Sequence, residues 1–279
     1  MSSTENSRPR RFVTGAAAGA AAVAFAVAGT ANAATEAPAA DRAPKPTVVL
    51  ERGAFADGSS WDGVIARLRH DGYPVVAAAD PLRGPASDAA GLRSLVHHTK
   101  GPVVLVGHSY GGSVISEAAV DEPQVKALVY VAAFLPAPGE SALQLTGQFP
   151  GSTLSGTLDA VPVTNADGST GTDLYIQQDK FRAQFAADVP AERAALAAAS
   201  QRPIAQAALT EKATAAAWRT VPTWDVITTE DLNIPAAAQR FMAERAHAHT
   251  TEVAASHSVA VSHPDVVAGV IEKAARATR

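Results

Sequence analysis

Four short, continuously apolar segments mark the first half of the chain: Thr47 to Leu50, Pro74 to Ala78, Val103 to Val106 and Ala127 to Val131. Runs of this length without polar alternation predict strands buried on both faces of a parallel sheet. The intervals between them read as helices. Over Trp61 to His70, the apolar residues Trp61, Val64, Ile65 and Leu68 recur at helical spacing, and Gly72 supplies the stop. Asp88 to His97 and Gly112 to Val120 fill the next two intervals. Strict alternation of strand and helix predicts parallel strands joined by right-handed crossovers, with helices over both faces: an α/β class with a mostly parallel, doubly wound sheet.

The pattern changes from Leu135 to Arg219. Gly, Ser, Thr and Pro dominate up to Thr172, and Ala-rich helical stretches with Tyr175, Phe181 and Phe185 follow. This reads as a helical cap inserted at about 135–219. The alternation then resumes, with Thr223 to Thr228 as strand, Pro235 to Ala246 as helix, Thr250 to Val253 as strand and Pro264 to Thr278 as the closing helix. The two halves are expected to share one sheet, so residues 47–279 read as one domain with its cap.

Ahead of that domain, Arg8, Arg10 and Arg11 precede an apolar run from Gly15 to Gly29 and the small-residue triplet Ala31-Asn32-Ala33. This is the layout of a secretory signal peptide, expected over residues 1–33 with cleavage after Ala33, and it implies a secreted, extracytoplasmic protein. The Arg10-Arg11 pair resembles a twin-arginine signal. Phe12 follows the pair directly where the usual pattern leaves one residue between, so general secretion stays open. An uncleaved anchor needs about 20 strongly apolar residues, and this run is diluted by Ala and Gly. No stable membrane association is expected after cleavage. Residues 34–46, rich in Ala and Pro, read as a disordered tether.

Composition narrows the chemistry. The 279 residues are 47% hydrophobic and 18% charged, enough to bury one sizeable core. A formal net charge of −4 with no basic block argues against nucleic acid as a partner. There is no Cys, which removes disulfides, thiolate metal sites and cysteine nucleophiles together. His247 and His249 form an H-x-H pair without an evident third ligand, so no metal site is expected.

The third apolar run leads straight into Gly107-His108-Ser109-Tyr110-Gly111-Gly112, a strand followed by G-x-S-x-G and then a helix. That context suits a turn so sharp that Ser109 is strained and its hydroxyl stands clear of the sheet, with glycines two residues away on either side removing Cβ clashes. The new helix aims free N–H groups at the place where charge develops during acyl transfer. A serine hydroxyl needs an imidazole to take its proton and an acid to orient that imidazole. Asp231 follows the strand Thr223 to Thr228 and His257 follows Thr250 to Val253, in the chain order serine, acid, histidine. Glu230 is the rival acid and His263 the rival base. His108 stands where such a triad has no member and reads as structural support. Tyr175, Phe181, Phe185 and Trp218 read either as the lining of an acyl pocket or as helix packing.

Gly53-Ala54-Phe55-Ala56-Asp57-Gly58-Ser59-Ser60-Trp61, the elbow Gly107 to Gly112, Thr229-Glu230-Asp231 and Ser256-His257 through Ser262-His263-Pro264 together resemble small bacterial α/β-hydrolase esterases, relatives of the plant methylesterase and hydroxynitrile lyase group. The resemblance runs from about Thr47 to the end of the chain. It implies the α/β-hydrolase fold, a small-molecule ester as substrate and no cofactor. It places the triad on Ser109, Asp231 and His257 and the oxyanion-hole amides on Ala54 and Tyr110. The expected activity is that of an exported serine hydrolase cleaving carboxylic esters through an acyl-enzyme.

One departure stands out: the family's apolar-His-Gly at the end of the first core strand is Glu51-Arg52-Gly53 here. Adjacent side chains on a strand face opposite ways, so Glu51 and Arg52 should each find another partner. Arg52 then either fills the histidine's structural place or acts as an added cation, modulating the oxyanion or anchoring an anionic substrate. Two alternatives remain in view. A lyase on the same scaffold would need a charged cap residue near Ser109, for which Lys180 is the candidate, and a non-catalytic binding protein is suggested by the Glu51-Arg52 departure.

Overall fold

The computed structural model describes residues 44–165 and 167–278. The expected signal peptide, and the tether up to residue 43, lie outside the described residues. The core begins with strict alternation: β1 (Thr47–Glu51), α1 (Asp62–His70), β2 (Val75–Ala77), α2 (Pro85–His98), β3 (Val103–His108), α3 (Gly111–Ala118) and β4 (Val125–Val131). The insertion holds α4 (Ala142–Gly147), β5 (Leu158–Thr164), β6 (Thr170–Ile176), α5 (Gln178–Phe185), α6 (Ala191–Ser200), β7 (Ile204–Ala205) and α7 (Gln206–Thr210). Alternation then returns with β8 (Thr223–Thr228), α8 (Ala236–Arg245), β9 (His249–Val253), α9 (Val259–Ser262) and α10 (Pro264–Ala277).

The main sheet runs in the order β2-β1-β3-β4-β8-β9, and every pairing in it is parallel. The central apolar strands serve two faces at once, whereas β2, at the edge of the sheet, leaves Val76 and Ala77 exposed, so the expected burial of Pro74 to Ala78 on both faces does not hold. Val48, Leu50, Val104, Val106 and Val129 pack with Val64 and Leu68 of α1 and Val267 and Ile271 of α10. Their neighbours Val49, Leu105, Leu128 and Tyr130 point the other way, into a cluster with Leu92 of α2, Val114 of α3 and Met242 of α8. The doubly wound sheet expected from the pattern is the one observed.

The insertion carries helices, as read from its second half, and in addition a three-stranded antiparallel sheet in the order β5-β6-β7. The reading of the sequence did not contain this sheet. Strand β5 is almost wholly exposed and β6 starts with Thr170-Gly171-Thr172, so the alternation that a half-buried strand displays is confined to Leu174 and Ile176 at the end of β6. Asp167-Gly168, with Gly168 at φ +81°, was the one local hairpin signal. The insertion is fastened to the core. The Arg245 guanidinium makes a two-pronged pair with Glu140 at 2.7 and 2.6 Å, and the Phe55 amide donates to Arg202 O at 2.9 Å; Trp218 Nε1, donating to Pro136 O at 2.9 Å, ties the two ends of the insertion together.

Candidate active site

At the end of β3 the chain turns into α3 so tightly that Ser109 sits at φ +54°. A non-glycine residue held there costs about 1–2 kcal/mol and persists only where its surroundings over-determine it. Here they do. A Cβ on Gly107 would stand 2.6 Å from Gly111 O, and one on Gly111 would stand 2.7 Å from Arg52 O. Strand, helix and the end of β1 therefore approach as close as bare backbone allows. The Ser109 carbonyl accepts from the Gly112 and Phe134 amides at 3.0 and 3.1 Å, which locks the turn.

Beyond β8, Asp231 closes a short loop on itself. Its Oδ1 accepts from the Asn233 and Ile234 amides at 2.7 and 3.0 Å. Its Oδ2 accepts from Thr228 Oγ1 at 3.0 Å and from Gln239 Nε2 at 3.1 Å. His257 follows β9 and is 1% exposed. Its Nδ1 lies 2.6 Å from Asp231 Oδ2 and its Nε2 lies 2.8 Å from Ser109 Oγ. A carboxylate beside Nδ1 favours the tautomer that carries its proton there, leaving Nε2 free to accept from the serine hydroxyl.

His108 supports this line from behind. Its Nε2 donates to the His257 carbonyl at 3.0 Å, and the two rings lie 4.8 Å apart. Burial, followed by the proximity of His257, pushes the His108 imidazole down to about 3, so it stays neutral. Phe185 of α5 closes the other side, its ring 4.9 Å from that of His257. The same helix ties together the loops that deliver acid and base. Gln184 Nε2 donates to Leu232 O at 2.9 Å and Asn233 Oδ1 at 3.0 Å, while the Phe185 carbonyl accepts from Ser258 Oγ at 2.8 Å.

Ser109 and His257 open onto a cavity of about 320 Å3, lined chiefly by Phe55, Phe134, Leu143, Phe149, Leu154, Leu158, Phe185, Leu209 and Ile234, with Asn233 among the few polar groups. No Lys, Arg, Asp or Glu lines it among the described residues. Ala54 and Tyr110 also face it, and both are buried. Among the described residues their amides donate to no protein acceptor. The Tyr110 hydroxyl turns away and donates to Asp88 Oδ2 at 2.7 Å. A second cavity of about 250 Å3 lies beyond Phe55 and Phe185, which line both.

Arg52 is not part of either lining. Its Nη1 donates to Ala56 O at 3.0 Å and to Gly53 O at 3.5 Å, and its Nη2 donates to Asp80 O. With its donors turned to main-chain carbonyls, it is not placed to meet a substrate, so the reading of Arg52 as a substrate anchor or a cation beside the oxyanion is corrected to one of backbone support. Glu51 is buried beside Asp80. Burial first, and Asp80 beside it, hold the Glu51 carboxyl well above the usual range, while burial together with Asp88 raises Asp80 to about 6.

The rival residues lie elsewhere. Glu230 is exposed, and His263 Nδ1 sits 3.0 Å from Ser262 Oγ and 3.6 Å from Asp188. Lys180 donates to Gly156 O at 3.3 Å, outside the cavity lining. Of the cap aromatics, Phe185 lines the cavity at Ser109 and Phe181 only the second one, whereas Tyr175 and Trp218 line neither. Sequence reasoning missed Thr228, Gln184 and Gln239. Their partners come from loops that only the folded chain assembles.

A model of the alpha/beta hydrolase family matches residues 47–270. The alpha/beta hydrolase nvfD of Aspergillus novofumigatus is 28% identical over 254 residues, which cover 83% of this chain and 97% of that protein. The pyrethroid hydrolase of Sphingobium wenxiniae is 31% identical over 161 residues, 52% of this chain and 56% of its own. Among solved structures, polyneuridine aldehyde esterase superposes with a TM-score of 0.71 at 18% identity, over 82% of this chain and 98% of that one, a likeness of fold.

Proposed function

The chain belongs to the alpha/beta hydrolase family, and on that footing we propose that it hydrolyses carboxylic esters of small molecules through a Ser109 acyl-enzyme. The observation that carries this reading is the continuous line from Asp231 Oδ2 through His257 to Ser109 Oγ, with contacts of 2.6 and 2.8 Å, ending at an apolar cavity. Ser109 Oγ attacks the ester carbonyl and gives its proton to His257 Nε2, while Asp231 stabilises the imidazolium that forms. The two unengaged amides, Ala54 and Tyr110, take the oxyanion. Collapse of the tetrahedral adduct breaks the bond to the alcohol, which leaves with the proton from His257. A water then gives a proton to the same nitrogen, attacks the acyl carbon and frees the acid, and Ser109 recovers its hydrogen. A lining without charged side chains suits neutral acyl groups.

The test is labelling of the folded protein with a fluorophosphonate probe beside Ser109→Ala, followed by turnover of p-nitrophenyl esters. Labelling and turnover that both vanish in the variant are expected. A folded wild-type protein that neither labels nor turns over would sink the reading.

A further inference from the structure

The turn that carries Ala54 is strained at one end and crowded at the other. Phe55 lies at φ +63°, and a Cβ on Gly53 would stand 2.6 Å from Ser109 Cβ. Such a turn keeps its shape only if neighbours fasten it. The cap supplies one fastening, from the Phe55 amide to Arg202 O at 2.9 Å. Arg52 supplies the other. One rigid guanidinium fork bonds Gly53 O and Ala56 O, the two ends of the turn, and ties both to Asp80 O in the segment after β2.

We propose that Arg52 is the positioning residue of the oxyanion hole: its guanidinium, clasping the carbonyls of Gly53 and Ala56 and anchored on that of Asp80, sets the Ala54 amide where the substrate oxygen will carry charge. The proposal rests on the reading of Ala54 as an oxyanion donor given above. It assigns Arg52 no contact with substrate, in keeping with its absence from the cavity lining.

The surroundings are arranged to keep this buried cation in place. Asp80, Glu51 and Asp57 are its negative neighbours, Asp88 adds to the carboxyl cluster, and Arg202 is a like charge. Glu51 Oε1 and Asp80 Oδ2 have no hydrogen-bond partner among the described residues.

Full-length wild-type protein, Arg52→Lys and Arg52→Met decide the matter through kcat, KM and the affinities of two inhibitors. One is a trifluoromethyl ketone, which forms a tetrahedral adduct; the other is the matching methyl ketone, which stays planar. Misplacing one oxyanion donor should lower kcat by about 10- to 100-fold in both variants, with KM within about threefold. Trifluoromethyl ketone affinity should fall with kcat while methyl ketone affinity holds. Lysine keeps the charge but cannot span three carbonyls, so full rescue by Arg52→Lys would overturn the clasp in favour of a charge effect. Values of kcat within twofold of wild type, or equal losses for both ketones, would overturn it as well. If Arg52→Met fails to fold, Arg52→Lys alone decides by the same criteria. Absence of fluorophosphonate labelling in the wild type removes the esterase reading and this inference together; normal labelling with indifferent Arg52 variants removes this inference alone.

Discussion

Two aspartates six positions apart receive opposite treatment. Asp231 is met by two backbone amides, a hydroxyl and a side-chain amide before it touches His257. Asp225, in the middle of β8, is fully buried, and neither of its oxygens has a hydrogen-bond partner among the described residues. Burial therefore raises the Asp225 carboxyl well above its ordinary range. An acid whose folded value is raised binds its proton more tightly in the folded chain. Its contribution to stability is whole below the unfolded value and is lost as pH rises through the folded one. Asp225→Asn, which cannot ionise, should raise Tm by on the order of 5 °C at pH 8 and by less at pH 5, since each kcal/mol moves Tm by about 2–4 °C at this size. Thermal unfolding at the two pH values measures it. Equal Tm differences at both would show that Asp225 does not titrate between them.

At the scale of elements, α5 joins the cap to the chemistry. Gln184 holds the loop after Asp231, and Phe185 holds the loop around His257 while its ring divides two cavities of about 320 and about 250 Å3. Phe185→Ala should merge them and move the preferred p-nitrophenyl ester towards longer acyl chains, at a cost of about 3–5 kcal/mol in stability for the lost packing. An unchanged chain-length profile would refute the partition. The sequence showed this helix only as an Ala-rich stretch with two phenylalanines. The core strands were legible because each is apolar on both faces over four or five residues, and the elbow at Ser109 because its requirements are local. The β5–β6 hairpin was not, because β5 and the start of β6 face solvent and only Leu174 and Ile176 at its far end are buried. Nor were Gln184 and Arg52, whose meaning lies in carbonyls that only the fold brings near: Gln184 reaches Leu232 across the cap boundary, and Arg52 reaches Asp80 across the end of the sheet.

For the whole molecule, the order of pairing matters. Strands β1 to β4 pair among themselves, whereas β8 joins β4 only across the insertion and β9 joins β8. Closing a loop of about 90 residues costs little more than closing one of half that length, but such non-local pairing is slow. On dilution from denaturant, far-UV circular dichroism should therefore recover before esterase turnover does. Coincident recovery would show that the sheet forms in one step. The insertion between β4 and β8 thereby separates the serine from the residues that would arm it. A growing chain exposes Ser109 long before it contains Asp231 or His257, so under the proposed esterase chemistry the nascent protein is harmless to esters around it, and reactivity arrives only with the last strand.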